Sequence, residues 1–396
     1  MEEKGTKMTA IVALMAVFSL AICFIIVGAI SEEMKKGLGI DNAQVGSLVL
    51  ALFLTSMIVQ LVIGPLVDKF GHKPLAILGF LVASVGMFLL AFSPTFNLAF
   101  FACILLGIGA MCLNTVGNTL IPVVLFEGKD PARASNFGNA FFGLGYVLTP
   151  LLFSLFATLA LGYKTGVSII GAVLLIFLLI ALGTRFPQVS TGFQFSMAFK
   201  LLGKAAVLIA AMALFCYVAL EISMGTWIKP YMTEILGGAT NANAVANAGL
   251  VLSFFGVAMM VGRFLTSSVK NLTSIGTKVI AVASLVSILA ILLMILTSST
   301  VVAVVAVILT GLVFAPIFPT IVGVTFAKFE PNLYGSIFGI IFAVGLLGGT
   351  FVPKFIGSLS AGATVQQSLY IAVAMAAILF VIALFIGRVG KPAPQK

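Results

Sequence analysis

The chain has 396 residues, of which 61% are hydrophobic and only 8% charged. A water-soluble domain carries about 25% charged residues, so a fold solvated mainly by water is excluded and a lipid bilayer is the expected surrounding. The formal charge of +10 does not point to nucleic acid, because the basic residues are distributed according to the apolar runs.

Apolar stretches of about 18 or more residues read as bilayer spans, since roughly 20 helical residues cross a hydrocarbon core of about 30 Å. In chain order the pattern predicts spans at 8–30, 46–67, 75–93, 98–126, 136–160 and 165–184, then at 205–228, 245–266, 277–297, 301–327, 335–360 and 366–388. The first run, Met8 to Ile30 behind Lys4 and Lys7, resembles a signal peptide in outline. It exceeds the roughly 7–15 residues of a signal peptide's apolar core and is read as a span. Twelve spans with short loops leave no room for a soluble domain. The longest polar connection runs from Thr184 to Lys204 and contains Arg185 and Pro187. The expected fold is an all-α membrane protein of twelve transmembrane helices in two six-helix bundles: residues 1–184, a cytoplasmic linker at 185–204, and residues 205–396.

With both termini inside, 16 of the 21 Lys and Arg residues fall on the cytoplasmic side: Lys4, Lys7, Lys69, Lys73, Lys129, Arg133, Arg185, Lys200, Lys204, Arg263, Lys270, Lys278, Lys328, Arg388, Lys391 and Lys396. Lys35, Lys36, Lys164, Lys229 and Lys354 remain on the outer side. This is the positive-inside bias, so the basic balance reports topology in a cell (inner) membrane. It argues against a nucleic-acid partner. Cys23, Cys103, Cys112 and Cys216 all lie in apolar runs and read as buried thiols. No metal-ligand cluster and no cofactor motif is found, and a monomer is expected.

The halves repeat weakly. Gly145 and Pro150 of the fifth span recur as Gly348 and Pro353 in the eleventh, an offset of 203 residues. The preceding loops, Phe126 to Pro131 and Phe326 to Pro331, match at an offset of 200. Parallel six-span repeats are one way in which transporters are built.

The loop after the second span reads Gly64-Pro65-Leu66-Val67-Asp68-Lys69-Phe70-Gly71-His72-Lys73-Pro74. It resembles the signature G-x-L-x-D-(R/K)-x-G-x-(R/K)-(R/K) of the major facilitator superfamily and departs from it only at Pro74. The resemblance implies secondary transport, with two bundles rocking around a central cavity lined mainly by spans one, four, seven and ten. It also implies that Asp68 sits at the N-terminus of span eleven, where the helix dipole favours an anion. Gly64, Asp68, Lys69, Gly71 and Lys73 then form a latch that holds the halves in an outward-open state. The corresponding second-half loop, Gly262-Arg263-Phe264 to Lys278, has no Asp, so a one-sided latch is expected. His72, the only histidine, stands at a variable position of the loop and is expected to be solvated.

Narrower likenesses follow in spans four, five and seven: Asn114-Thr115-Val116-Gly117-Asn118, Asn136-Phe137-Gly138-Asn139, and Phe215-Cys216-Tyr217-Val218-Ala219-Leu220-Glu221. With Gly262-Arg263-Phe264 and Phe318-Pro319-Thr320 they resemble the fucose–proton symporter family, which includes glucose/galactose permeases. In that family the position of Asn114 carries a glutamate and the first span an aspartate. Between Met8 and Ile30 there is no aspartate, so any coupling here uses another group.

Of the eleven acidic residues only Glu221 lies well inside a span, about 21 Å along the helix counted from Val207. An ionisable side chain at that depth is costly unless paired or solvated. Glu221 is therefore the expected proton-coupling residue, weighed against a structural glutamate bonded to a neighbouring helix. Sodium is the less favoured coupling ion. Asn114 and Asn118 share a helix face, as do Asn136 and Asn139. Carboxamides match sugar hydroxyls but also glue helices together. Asn114, Asn118 and Asn139 are taken as substrate-binding candidates, and Asn136 as glue. Tyr217, Phe215 and Trp227 can stack on a sugar ring, although Trp227 also suits an interfacial belt. Arg263, Lys229 and Lys354 stand at span ends, where they can snorkel.

The expected function is proton-coupled uptake of a neutral sugar or similar small polar metabolite. The alternatives are a facilitator or exporter of amphipathic compounds, favoured by 35 Phe, and an organic-anion carrier that uses Lys354 or Arg263. The absence of HExxH and of paired carboxylates argues against an intramembrane enzyme.

Overall fold

The computed structural model of the chain describes residues 2–40, 42–159, 161–187, 199–238, 242–360, 363–386 and 388–389. Its long helices are α1 (Glu2–Ala29), α2 (Asn42–Phe70), α3 (His72–Phe92), α4 (Phe96–Val124), α5 (Pro131–Thr158) and α6 (Tyr163–Gly183). They continue as α7 (Ala205–Ile235), α8 (Ala242–Ser267), α9 (Leu272–Leu296), α10 (Thr300–Phe314 and Ile317–Phe326), α11 (Tyr334–Ser360) and α12 (Tyr370–Ile386, preceded by a short turn of helix at Val365–Ser368). Among the described residues eleven of these are long and apolar enough to cross a membrane. The exception, α5, has 28 residues, and its opening turns carry Arg133, Ser135, Asn136 and Asn139.

The twelve helices follow the predicted order, with two differences. The tenth is broken at Ala315–Pro316, because proline has no N–H and its ring clashes with the preceding turn. An eight-residue helix, Ser31–Leu38, follows α1; its mix of Glu and Lys hid it from a reading based on apolar runs. Most of the expected linker, 188–198, lies outside the described residues, as do Lys391 and Lys396 at the C-terminus.

The two halves use the same packing scheme. In the first, α4 packs against α1, α2 and α3, and α3 packs against α6; in the second, α10 packs against α7, α8 and α9, and α9 against α12. Close backbone approaches repeat as well. A Cβ at Gly107 in α4 would lie 2.6 Å from the Leu52 carbonyl oxygen, and one at Gly311 in α10 would lie 2.6 Å from that of Phe255. The matched glycines noted in the sequence behave alike: Gly145 abuts the Phe18 carbonyl and Gly348 the Phe215 carbonyl. In lipid no hydrophobic force drives helices together, so small residues at such crossings let backbone dispersion contacts form.

The chain packs as two compact units. One comprises residues 1–128, 141–198 and 331–339, and the other 129–140, 199–330 and 340–396. The opening turns of α5 thus belong with the second unit, and those of α11 with the first. Helix ends are tied by lysines. In the first unit Lys73 Nζ donates to the carbonyls of Leu182 (2.9 Å) and Thr184 (3.0 Å) at the end of α6. In the second, Lys328 Nζ donates to the carbonyls of Ile386 and Val389 past the end of α12. Burial of that ammonium pushes it below the ordinary lysine range.

Candidate functional site

In the first unit a chain of polar side chains runs through an apolar interior. Gln60 on α2 accepts from Asn114 Nδ2 (3.2 Å) and donates to the Thr115 hydroxyl (3.2 Å). Asn118 Nδ2 donates to the side-chain oxygen of Asn114 (2.9 Å) and to its carbonyl (3.0 Å). The Thr119 hydroxyl donates to the Thr115 carbonyl (2.6 Å) and meets His72 Nε2 at 3.0 Å. Since that hydroxyl has already spent its proton, the ring nitrogen is the donor. His72 is therefore not a solvated loop residue: it opens α3 and is anchored to α4. Gln60, Asn114 and Asn118 are all buried, which an amide tolerates only with its hydrogen bonds made. Asn114 and Asn118 come together as the helical spacing predicted. Gln60 is the lone amide of the predicted second span, and the spacing of the repeat aligns it with Arg263.

In the second unit Glu221 is not isolated. Arg263 Nη2 lies 3.0 Å from Glu221 Oε1, and the two side chains are 3% and 25% exposed. Arg263 Nη1 also donates to the Asn139 carbonyl (3.3 Å). The expectation that Arg263 snorkels to the interface is thus corrected: its guanidinium turns inward, because a carboxylate and a carbonyl compensate its charge there. The argument for Glu221 from desolvation of a lone carboxyl changes accordingly, since a cation now shares the site.

Tyr217, one turn before Glu221, is fully buried between Phe314 and Phe318, at centroid distances of 6.1 Å each. Phe318 packs in turn on Phe342 at 5.8 Å. The Tyr217 ring is engaged by protein and does not offer a sugar a stacking face. Its hydroxyl is buried beside Glu221 and Arg263. Trp227 is also committed: Nε1 donates to the Pro353 carbonyl (3.0 Å), and the ring packs on Ala219, Val352 and Ile356. Asn139 Nδ2 donates to the Ser135 carbonyl, and Asn136 Nδ2 to the Ala132 carbonyl and the Thr320 hydroxyl. Phe215 and Lys229 act elsewhere: Phe215 lends its carbonyl to the Gly348 crossing, while Lys229 and Lys354 are exposed.

Asp68 stands where the motif implied, at the start of α11. Asp68 accepts from the backbone N–H of Gly335 (2.8 Å) and Ser336 (2.6 Å) in the opening turn of α11. A side chain at Gly335 would meet Asp68 Oδ1 at 2.6 Å, so the glycine admits the carboxylate. Gly64 lies against Gly335 and Gly339. Gly71 takes φ 82° at the start of α3, a conformation open to glycine at little cost. Lys69 is exposed and sits 5.1 Å from the Phe70 ring centroid.

The loop after α8 lacks an Asp, as read from the sequence, but the second unit has a comparable carboxylate contact. In the second unit Asp130 accepts from the backbone N–H of Leu272 (2.8 Å) and Thr273 (2.9 Å) and from the Thr273 hydroxyl (2.6 Å). Ala132 N donates back to that hydroxyl (3.0 Å), and Arg133 Nε donates to the Ser267 carbonyl (2.8 Å). The carboxylate missing from the loop after α8 is supplied by the loop before α5. Donor and acceptor have changed places relative to the Asp68 contact.

The sequence profile of the Major Facilitator Superfamily matches residues 12–353. The chain belongs to that superfamily. Its apolar helices make it a multi-pass membrane protein. Its sequence is similar to Multidrug resistance protein 1 of Bacillus subtilis (strain 168), 26% identical over 150 residues, 38% of each chain. It is also similar to Tetracycline resistance protein, class H, of Pasteurella multocida, 30% over 108 residues, 26% of each. Quinolone resistance protein NorA of Staphylococcus aureus (strain MRSA252) is 27% identical over 138 residues, 34% of this chain and 35% of NorA. The chain thus spans less than two fifths of the length of these relatives. Among solved structures, FucP in the outward conformation superposes with TM-score 0.77 at 19% identity, over 96% of this chain and 99% of FucP. XylE, the proton:xylose symporter bound to 6-bromo-6-deoxy-D-glucose, follows with TM-score 0.73 at 14% identity, over 98% and 96%. At these identities the likeness shows the fold.

Proposed function

We propose that this superfamily member is a proton-coupled symporter of a neutral sugar or a similar small polar solute, working by alternating access between two six-helix bundles. The observation that carries this reading is the Glu221–Arg263 pair, 3.0 Å apart, with the guanidinium buried and the carboxylate partly exposed. A proton delivered to Glu221 removes the negative charge and leaves a guanidinium buried among helices. Breaking a buried pair costs about 3–5 kcal/mol, enough to favour a rearrangement that rehydrates or re-pairs Arg263. Glu221 is the group that carries the proton, and Arg263 is the sensor of its charge. Asn114, held by Gln60, and Asn118, held by Asn114, supply neutral donors and acceptors of the kind that hydroxyl-rich solutes need. The sugar:proton symporters among the structural neighbours favour the same class. No cofactor is invoked beyond the coupling proton.

A second reading is export of amphipathic compounds. It is favoured by the drug-resistance relatives. An organic-anion carrier is less favoured, because an anion reaching Arg263 must displace Glu221.

The test is proton movement in energy-depleted right-side-out vesicles on addition of fucose, glucose, galactose or a small organic acid in turn. External alkalinisation with one sugar, lost in Glu221→Gln, supports symport. No response to any sugar, together with proton-driven efflux of a cationic dye, shifts the assignment to export.

A further inference from the structure

We propose that the cavity at the junction of α2, α3 and α6 is a binding site for a phosphate-bearing anion, and that its occupant is the headgroup of an anionic phospholipid. The site is an open surface cleft of about 540 Å³, lined by Phe70, Gly71, His72, Lys73 and Pro74 and by Arg185, Phe186 and Pro187. Its ionisable lining consists of a lysine, an arginine and the histidine, with no acid among them.

The polar groups are held to different degrees, and the positive charge comes from Lys73 and Arg185. Lys73 is held by two of its three donors on the Leu182 and Thr184 carbonyls, which leaves the third for a ligand. His72 is fixed through Nε2 on Thr119. Arg185 is exposed, and its guanidinium makes no hydrogen bond or ion pair among the described residues. A flat five-donor group of this kind is suited to bidentate phosphate recognition. At the same place α3 begins without a side-chain cap, because its N-cap residue is Gly71, so first-turn N–H groups add to the positive field.

The apolar part of the wall distinguishes the source of the phosphate. Phe70 is 54% exposed at the very end of a membrane-crossing helix, and Phe186, Pro74 and Pro187 extend that apolar rim. A soluble phosphate has no use for such a surface, whereas a phospholipid places its glycerol and first methylenes there while its phosphate meets the cations. The site shares the segment 70–74 with the latch loop and reaches the buried amide chain through His72, so its occupant bears on both.

The experiment is native mass spectrometry of the full-length protein in detergent carrying equal amounts of phosphatidylglycerol and phosphatidylcholine, with inorganic phosphate as competitor. The expected result is several-fold preferential retention of phosphatidylglycerol. In Arg185→Glu that retention falls by about tenfold or more, since each basic residue near a charged bilayer surface contributes about 1 kcal/mol and here the sign is reversed. Arg185→Glu keeps the backbone carbonyl that accepts from Thr9, so the local fold is preserved. An unchanged melting temperature in phosphatidylcholine checks this. Equal retention of the two lipids, or phosphatidylglycerol retention unaffected by Arg185→Glu, overturns the proposal. Displacement of the lipid by millimolar inorganic phosphate overturns the lipid as occupant and gives the site to a soluble phosphate.

Discussion

Gln60 and Arg263 stand 203 residues apart, the offset of the internal repeat, and occupy the same place on the second helix of their respective halves. Gln60 reaches the fourth helix with a neutral amide, holding Asn114 and Thr115. Arg263 reaches the seventh helix with a charge, holding Glu221. One repeat position has thus become a polar spacer in one half and half of an ion pair in the other.

Glu221→Gln is expected to abolish uphill accumulation while leaving solute exchange. It also strands a buried cation, so the mutant should lose on the order of 3 kcal/mol of stability. In the double mutant Glu221→Gln/Arg263→Gln much of that stability returns, because the amides can pair without charge. Thermal unfolding in detergent reads the non-additivity. Full accumulation by Glu221→Gln would remove the residue from the coupling step.

Gln60→Leu leaves the Asn114 amide and the Thr115 hydroxyl without their partner across the α2–α4 contact. The expected cost is about 1–3 kcal/mol of stability, together with a weakened apparent affinity for solute. Gln60→Glu offers an acceptor to Asn114 but buries a carboxyl with no counter-charge beside it, and it is expected to cost at least as much stability as Leu. A solute affinity unmoved by either change would restrict the amide chain to helix packing.

Asp130→Ala and Asp68→Ala are expected to have similar effects, since each removes charge-assisted bonds to two backbone N–H groups at a helix start. Such bonds contribute about 1.5–3 kcal/mol apiece. Asp130→Asn should be intermediate, because an amide oxygen still accepts from Thr273. Transport rate and the reactivity of a single cysteine placed in the loop after α8 report the change. A wild-type rate in Asp130→Ala would leave Asp68 as the sole working latch.

Trp227→Phe keeps the packing on Val352 and Ile356 and loses only the bond to Pro353. A stability loss of about 1 kcal/mol with an unchanged KM is expected. A large rise in KM would return Trp227 to the solute site.

How much could be read in advance depended on whether a residue's role was set locally or by a distant partner. The helix order was legible because span length and apolarity are local demands of the bilayer, and the break at Pro316 was the sort of detail that apolarity conceals. Asp68 was legible because its loop carries a family signature. Glu221 stood out as the one acid deep in a span, but its partner did not: Arg263 lies near the end of its own helix, where snorkelling is the default expectation, and only the packing of α8 against α7 turns it inward. Tyr217 and Trp227 were credited with stacking on a ligand because an aromatic ring looks the same in sequence whether its faces are open or filled. Asp130 was passed over for a topological reason, since it occupies the complementary strand of a contact whose other strand was being searched.

The opening turns of α5 and α11 each pack in the unit otherwise built largely from the other half of the sequence. Neither half of the sequence, made alone, therefore contains every partner its own residues use: Asp68 without Gly335 and Ser336, or Thr273 without Asp130, is a plug without its socket. A chain cut within 188–198 and produced as two fragments should consequently behave as a complementation pair, each fragment short-lived on its own and rescued by co-expression of the other.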